Sequence, residues 1–184
     1  MRHIISLMTV LCAVAACYSG PRPQTGGALP QNIVDSGANY HLGVGDKVKV
    51  TVLGQTDLSG ESEVDAGGKI VVAMAGAIDA AGGTVTEVAE RVKAAFTQAQ
   101  VLREPKVAVQ VIEYRPVTVT GEVKTPGRYK FTFGLDVRSA VALAGGFDKR
   151  ADQKSVLVYR NNQAYDARSE SVLEPGDIVE VPRR

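Results

Sequence analysis

Residues 42–50 read Leu-Gly-Val-Gly-Asp-Lys-Val-Lys-Val, and residues 173–181 read Leu-Glu-Pro-Gly-Asp-Ile-Val-Glu-Val. The two stretches share the pattern L-x-x-G-D-x-V-x-V, in which a Gly-Asp turn leads into a strand with alternating apolar residues. The glycine supplies backbone freedom, and the aspartate side chain can accept hydrogen bonds from nearby backbone amides. Because many turn–strand junctions look alike, one shared nonamer does not by itself establish an internal repeat.

The composition indicates a globular, β-rich protein. Of the 184 residues, 45% are hydrophobic and 22% are charged, which is far from the composition of a disordered chain. Aromatic residues make up 5% and tryptophan is absent, so valine, alanine, leucine and isoleucine must build the core. The formal net charge of +1 argues against a nucleic-acid-binding protein and against a polybasic membrane-surface protein.

The first residues have the pattern of a secretory signal. An apolar run over residues 4–16 is too short to span a membrane and fits the central region of a signal peptide, so we assign residues 1–16 to the signal. The run ends in Val-Ala-Ala-Cys, which resembles the lipobox of bacterial lipoproteins and predicts acylation, including palmitate, at Cys17. The alternative is an ordinary signal peptide, with Cys17 an incidental thiol. Cys12 lies in the segment that would be removed, so the mature chain could form no internal disulfide.

Residues 17–39 are predicted to be a flexible tether that begins at lipidated Cys17. This segment is rich in proline and glycine and has no hydrophobic periodicity. Tyr18 stands where, in the sorting rule of enteric bacteria, an aspartate would retain a lipoprotein at the inner membrane, so the sequence favours the outer membrane.

Residues 40–115 are predicted to form a β-rich unit with one amphipathic helix. Alternation over residues 47–52 indicates a half-buried strand, and further strands are predicted at 69–74 and 107–112. A helix is predicted over residues 84–98, where Thr84 and Glu87 have the spacing of a capping box. Its apolar positions repeat at helical spacing: Val85, Val88, Ala89, Val92, Ala95 and Phe96.

Residues 116–184 are predicted to form a second unit with the order β-β-α-β-β-β, which suits a β-grasp fold. The predicted strands are 117–120, 129–133, 156–160, 163–166 and 178–181, with a type II turn at 124–127. Asn161 and Asn162 are predicted to form the turn of a hairpin between the third and fourth of these strands. A short helix over residues 137–144 would be capped by Asp136 and would end at Gly145 and Gly146. The predicted fold class is therefore α+β.

Several of these motifs, in this order, resemble the bacterial polysaccharide export family. Tyr-His-Leu-Gly-Val-Gly-Asp at 40–46 resembles the start of the export domain, and Val-Asp-Ala-Gly-Gly-Lys-Ile at 64–70 follows as in that family. Residues 119–127, 144–147 and 175–182 resemble the start, middle and end of an SLBB domain, a β-grasp module. The turn residues that match the family motifs are Gly43, Gly45, Asp46, Gly121, Pro126, Gly127, Gly145, Gly146, Gly176 and Asp177.

The resemblance implies a function in transport and not in catalysis. Members of this family are envelope lipoproteins that form homo-oligomeric rings and help carry capsular polysaccharide or exopolysaccharide to the cell surface. They work with an inner-membrane polysaccharide co-polymerase, often coupled to a tyrosine kinase. Large members carry a C-terminal membrane-spanning helix. Nothing of that kind follows Pro182, so we expect a short form at the outer membrane that faces the periplasm and relies on a separate outer-membrane β-barrel.

The search for catalytic or ligand-binding chemistry finds few candidates. His41 is the one histidine after residue 16, so neither a metal site nor a Ser-His-Asp triad is predicted, and no cofactor motif is present. Glu61, Glu63 and Asp65 would share one face of a strand, where paired carboxylates could hydrolyse a glycoside, but a solvated face is the simpler interpretation. The main alternative to export is a monomeric envelope lipoprotein whose β-grasp domain binds a glycan or small ligand.

Overall fold

A computed structural model of the chain describes residues 27–29 and 40–184. We refer to residues 40–115 as the first unit and to residues 116–184 as the second unit. The signal peptide, Cys17 and most of the predicted tether lie outside the described residues. The elements of the first unit are β1 (Lys47–Val52), a 3-10 turn (Thr56–Leu58), β2 (Gly60–Glu63), β3 (Lys69–Val72), β4 (Gly76–Asp79), α1 (Val85–Gln98) and β5 (Val107–Glu113).

The first unit is built on an antiparallel sheet in the order β2-β1-β5, with a β3-β4 hairpin beside it. The predicted alternation in β1 is confirmed, because Val48, Val50 and Val52 are buried while the polar residues between them are exposed. The buried face of α1 consists of Val88, Val92 and Phe96, which stand four residues apart and have no exposed surface. This face packs over β4 and β5 and closes the core of the first unit.

The predicted start of helix α1 is confirmed. The Thr84 side chain accepts a hydrogen bond from the Glu87 amide (3.3 Å), and the Glu87 carboxylate accepts one from the Thr84 amide (2.9 Å). This reciprocal pair is the capping box that the sequence predicts. It satisfies amides at the helix start that have no partner inside the helix.

The second unit has β-grasp topology. Its elements are β6 (Val117–Gly121), β7 (Gly127–Tyr129), α2 (Val137–Leu143), β8 (Val156–Arg160), β9 (Gln163–Ala167) and β10 (Ile178–Val181). The sheet has the order β7-β6-β10-β8-β9, so the last strand lies in the middle, parallel to β6 and antiparallel to β8. The α+β fold class is thereby confirmed in both units.

The helix α2 and the β8-β9 hairpin of the second unit lie where the sequence predicts them. The Asp136 side chain accepts a hydrogen bond from the Ser139 amide (2.7 Å) and caps α2. At the other end, Gly146 N–H donates to the Val141 carbonyl and Gly145 N–H to the Ala142 carbonyl, which is a Schellman motif. Val137, Ala140 and Val141 face the core of the second unit.

Several predicted boundaries differ from the structure. Strands β2 and β4 were not predicted, because these four-residue strands have no complete apolar alternation. The strand predicted at 129–133 ends at Tyr129, because Phe131 and Phe133 leave the sheet and pack on aromatic rings. The type II turn predicted at 124–127 is wrong, since Gly127 has no positive φ and opens β7. Residues 124 and 125 instead bond to the end of α2.

Gly27–Leu29 differ from the predicted flexible tether. Ala28 forms a parallel bridge with Asp166 of β9, and the Leu29 side chain is 4% exposed within the core of the second unit. A single apolar residue in a Pro/Gly-rich stretch carries no periodicity, so the sequence gives no sign of this docking.

Candidate functional site: the joint between the two units

The Gly-Asp turn of the first unit is organised by Asp46, whose side chain is fully buried. One carboxylate oxygen, Oδ2, accepts hydrogen bonds from the Tyr40 hydroxyl (2.6 Å) and the Gly43 amide (2.7 Å). The other, Oδ1, accepts from the backbone amide of Arg115 (2.7 Å). Burial and the bond to Asp46 raise the pKa of the Tyr40 hydroxyl above its ordinary value, so Tyr40 remains a donor. Asp46 thus ties the start of the first unit to its last residue.

The Gly-Asp turn of the second unit has the same local geometry. Asp177 Oδ2 accepts from the Glu174 amide three residues earlier (2.8 Å), as Asp46 does from Gly43. In the first turn the Asp46 amide donates to the Gly43 carbonyl, and in the second the Asp177 amide donates to the Glu174 carbonyl, both at 3.1 Å. The glycine before each aspartate has φ near +90°. The shared nonamer therefore marks one turn–strand structure that occurs twice in the chain.

Arg115 lies between the two turns and connects them. Its backbone is held by Asp46, and its Nε donates to the Pro175 carbonyl of the second turn (2.7 Å). A side chain at Gly43 would overlap the guanidinium of Arg115, and a Cβ at Gly176 would lie 2.7 Å from Nε. The Arg115 side chain thus fills the space beside both glycines, and a Cβ at either position would require that side chain to move.

An aromatic cluster flanks Arg115 and joins the two cores. The Tyr114 ring meets Tyr40 of the first unit edge to face, with centroids 5.0 Å apart. On its other side Tyr114 meets Phe131 and Phe133 of the second unit at 6.0 and 4.9 Å. Such pairs contribute about 0.5–1.5 kcal/mol each beyond burial. Tyr114 packs against both core clusters, so the units are coupled by packing as well as by hydrogen bonds.

Arg160 supports the second turn from inside the second unit. Its Nη2 lies 2.7 Å from Asp177 Oδ2, its Nε 3.0 Å from Oδ1, and its Nη1 2.7 Å from Glu174. The side chains of Arg160 and Asp177 are only 9% and 2% exposed. This bidentate pair holds Asp177 in the orientation that the turn requires.

The remaining predicted turn residues lie where the connection after β6 passes the end of α2. Gly121 has φ +83°, and Gly145 and Gly146 have φ +78° and +88°. The Lys124 amide donates to the Gly146 carbonyl and the Thr125 amide to the Ala144 carbonyl. Pro126 is exposed in this connection and Gly127 opens β7. These five residues shape the second unit.

Gly121→Ala is expected to destabilise the protein more than Gly146→Ala. Both glycines have positive φ, which costs an alanine about 1 kcal/mol. At Gly121 a Cβ would also overlap the Val181 carbonyl oxygen, whereas at Gly146 nothing lies within 4 Å. We expect a loss of about 2–3 kcal/mol for Gly121→Ala and about 1 kcal/mol for Gly146→Ala, measured by urea denaturation. Equal losses of stability in the two variants would contradict the overlap between a Cβ at position 121 and the Val181 carbonyl of β10.

The acidic cluster does not form a carboxylate pair. Glu61 and Glu63 lie on β2 opposite Lys49 and Lys47 of β1. Asp65 lies beyond the end of β2, where its Oδ1 accepts from the Lys69 amide (2.9 Å), so the expected shared face does not include it. The glycosidase interpretation therefore finds no support in this geometry. His41 is exposed and bridges Thr84 through its backbone.

Five exposed cations come together at the end of the second unit. The Arg184 amide donates to the Arg150 carbonyl (2.9 Å), and Ala151 bridges Arg183, so the loop after α2 lies beside the last residues. The basic patch formed in this way consists of Lys149, Arg150, Lys154, Arg183 and Arg184. In the described part of the chain none of the five forms an ion pair. Asp148 and Asp152 lie in the same loop and reduce the local charge.

Large apolar side chains are exposed mainly in the first unit. Leu53, Val71 and Met74 are 71%, 67% and 70% exposed. Leu53 borders an open groove of about 470 Å³ between α1 and the ends of β1 and β5. Among residues 27–29 and 40–184, no group of His, Cys, Asp and Glu side chains could hold a metal ion. In the same residues no helix has the length and apolar character needed to cross a bilayer.

Comparison with known proteins agrees with the order of the two units. Residues 34–112 match the family of polysaccharide biosynthesis/export proteins, and residues 116–173 match the SLBB domain. The chain belongs to the polysaccharide export family. The boundary between the two matched regions falls at residues 113–115, so the family's two modules meet at Tyr114 and Arg115.

Named relatives in the polysaccharide export family align with both units. The chain is 36% identical over 124 residues to the exopolysaccharide production protein ExoF of Rhizobium meliloti (strain 1021), covering 61% of this chain and 29% of ExoF. It is 34% identical over 137 residues to the EPS I polysaccharide export outer membrane protein EpsA of Ralstonia solanacearum, covering 66% and 36%. The chain thus spans about a third of the length of these relatives.

The residues that connect the two turns were not predicted. Both Gly-Asp turns were predicted from the sequence, whereas no role was predicted for Tyr114, Arg115 or Arg160. The charged Arg115 stands beside Pro116 at the predicted boundary, and Arg160 ends an otherwise apolar buried alternation in β8. A charge at a position predicted to be buried signals a paired partner, and this was the available clue to Arg160.

Proposed function

We propose that this chain is a lipid-anchored component of the route by which a bacterium exports exopolysaccharide or capsular polysaccharide. The observation that carries the proposal is the presence of both family modules, in order, over residues 34–112 and 116–173. The names of the relatives ExoF and EpsA support the same class of polymer. The function is passage and assembly, without chemistry on the polymer.

We call the contacts that connect the two units the joint: they are made by Asp46, Arg115 and the rings of Tyr40, Tyr114, Phe131 and Phe133. The joint supports a role for this chain as a repeated building block. Asp46, Arg115 and the aromatic cluster connect the two units by hydrogen bonds and ring contacts, so we expect every copy to present the same angle between its modules. A closed ring requires an identical rotation between neighbouring copies, and a fixed angle within each copy meets that need. The exposed Leu53, Val71 and Met74 are candidate contacts between copies.

The anchor and the partners follow from the sequence resemblance. Cys17 would carry the lipid, and Tyr18 favours the outer membrane with the body in the periplasm. The partners of this proposal are the exported polysaccharide, further copies of the chain in a homo-oligomeric ring, an inner-membrane co-polymerase with its tyrosine kinase, and a separate outer-membrane β-barrel. The name of EpsA as an outer membrane protein supports the membrane assignment.

The test is complementation of a strain that lacks the chain. Wild type is expected to restore exported polymer, whereas Cys17→Ser is expected to lose palmitate labelling and to reduce export at least tenfold. Cys12→Ser is the matched control, because it lies in the predicted signal segment and should behave as wild type. Unchanged export without the chain would refute the function, and palmitate labelling of Cys17→Ser would refute the anchor.

The mass of the native protein in mild detergent separates the proposal from its alternative. A discrete multimer measured by light scattering would support the ring. A monomer that binds a glycan, in a strain with unchanged export, would favour the ligand-binding lipoprotein instead.

A further inference from the structure

Gly27–Leu29 attach the N-terminal segment to one edge of the second unit. The Asp166 amide of β9 donates to the Gly27 carbonyl (3.1 Å), and the Leu29 amide donates to the Asp166 carbonyl (3.4 Å). The Leu29 side chain is buried in the core of the second unit with 4% of its surface exposed. Two backbone bonds and one buried leucine thus hold this short strand, which we call the latch.

The latch occupies the free edge of the sheet. In the strand order β9 is the last strand, paired on one side with β8. Residues of an antiparallel strand bond alternately to the two sides, and both backbone groups of Asp166 are directed to the latch. An edge strand with unpaired groups is a site where another chain can pair, so the latch also protects β9.

We propose that the latch fixes which side of the body faces the membrane, by holding the β9 edge of the second unit next to the lipid on Cys17. This inference rests on the anchor in the proposed function. Gly27 is ten positions after Cys17, and a chain of that length spans at most ~35 Å whatever its conformation. Tyr40 is 23 positions after Cys17, and a chain of that length could span ~80 Å if the latch were open.

The size of the folded body determines whether a connection of ~35 Å or of ~80 Å lets every side of it reach the membrane. A globular body of 145 residues (40–184) is roughly 40 Å across, so a path around half its circumference is about 60 Å. With the latch closed, the connection from Cys17 is too short for that path, and the far side cannot lie against the membrane. With the latch open, the connection is long enough for any side to do so. The β7 edge is four strand spacings, or about 19 Å, from β9. If the connection is the coil that the sequence predicts, its r.m.s. end-to-end distance is about 17 Å, so the β7 edge lies farther from the lipid on average.

Hydrogen exchange tests the latch without any lipid. In the mature chain carrying Cys17→Ser, Leu29→Asp is expected to speed exchange of the Asp166 amide at least tenfold and to leave the amides of the central strands β6 and β10 unchanged. Leu29→Ala is a second variant, for use if Leu29→Asp disturbs folding, and it should also speed exchange of the Asp166 amide. Leu53→Asp, at a leucine that is 71% exposed, is the matched control. Unchanged exchange at Asp166 in both Leu29 variants would overturn the latch.

Energy transfer to the membrane tests the orientation. The acylated protein would be bound to vesicles of phosphatidylethanolamine and phosphatidylglycerol with an acceptor dye on a lipid. A donor dye would be placed on Gln163→Cys at β9 or on Arg128→Cys at β7. Transfer should be at least twofold greater from position 163, and Leu29→Asp should abolish that difference. Equal transfer from both positions without the Leu29 change would overturn the orientation. Failure of the chain to bind vesicles would overturn the anchor and with it the orientation, whereas the latch is decided by exchange.

Discussion

Asp46→Ala is expected to lower the free energy of unfolding by about 3–5 kcal/mol, because three donors lose their acceptor together. The Tyr40 hydroxyl and the amides of Gly43 and Arg115 all bond to this buried carboxylate. Each buried donor without a partner costs about 1–3 kcal/mol, and water entering the space left by the side chain offsets part of that sum. The loss should therefore exceed that of a typical surface substitution several-fold.

Urea denaturation followed by far-ultraviolet circular dichroism measures this effect, since the chain has no tryptophan. Asp57→Ala is the matched control, because Asp57 is exposed in the 3-10 turn and makes no bond of this kind. We expect the control to change stability by less than about 0.5 kcal/mol. An Asp46→Ala loss no larger than that of Asp57→Ala would mean that Asp46 does not organise the joint.

Arg160→Met is expected to cost about 3–5 kcal/mol at pH 7, because it removes the cation that lies 2.7 Å from the carboxylates of both Asp177 and Glu174. Methionine fills much of the same volume, so the loss reports the charge more than the packing. The second turn should loosen, since Asp177 also accepts the Glu174 amide that closes it. Arg168→Met, at an exposed arginine, is the control and should be nearly neutral.

The loss caused by Arg160→Met should shrink as the pH falls from 7 to 4. Burial already raises the pKa of the Glu174 carboxyl, and removal of Arg160, which opposes that rise, would raise it further. A carboxyl whose pKa is higher in the folded state stabilises the fold below its unfolded pKa, and this stabilisation is lost as the pH rises. Denaturation of wild type and variant at both pH values measures the difference. A loss that is independent of pH would indicate a packing defect.

The joint explains why the two substitutions matter beyond stability. Asp46 and Asp177 organise equivalent turns, and Arg115 contacts both through its backbone amide and its Nε. Loosening either turn should change the angle between the units as well as the stability of one of them. Small-angle scattering of the Asp46→Ala variant, under conditions where it is folded, would detect a wider distribution of that angle.

Local sequence patterns predicted most of the elements. The alternation in β1, the helical spacing and capping box of α1, the Asp136 cap of α2 and the turn at Asn161 and Asn162 all depend on residues within a few positions of each other. Such periodicities and caps are properties of the backbone geometry of a helix or a strand, so a single sequence displays them. The short strands β2 and β4 were missed because four residues carry too little of either period.

The sequence by itself therefore determined the α+β class, the order of all strands and helices except β2 and β4, and the two Gly-Asp turns, because each depends on short-range geometry. Only the tertiary structure decided that Arg115 connects the turns, that Arg160 pairs with Asp177 and that Leu29 docks on the second unit. The partners in these contacts are far apart in sequence: Arg160 and Asp177 are separated by 17 positions, and Leu29 and Asp166 by 137. No local pattern encodes such a pair, since its energy exists only when the packed cores bring both partners together and exclude water.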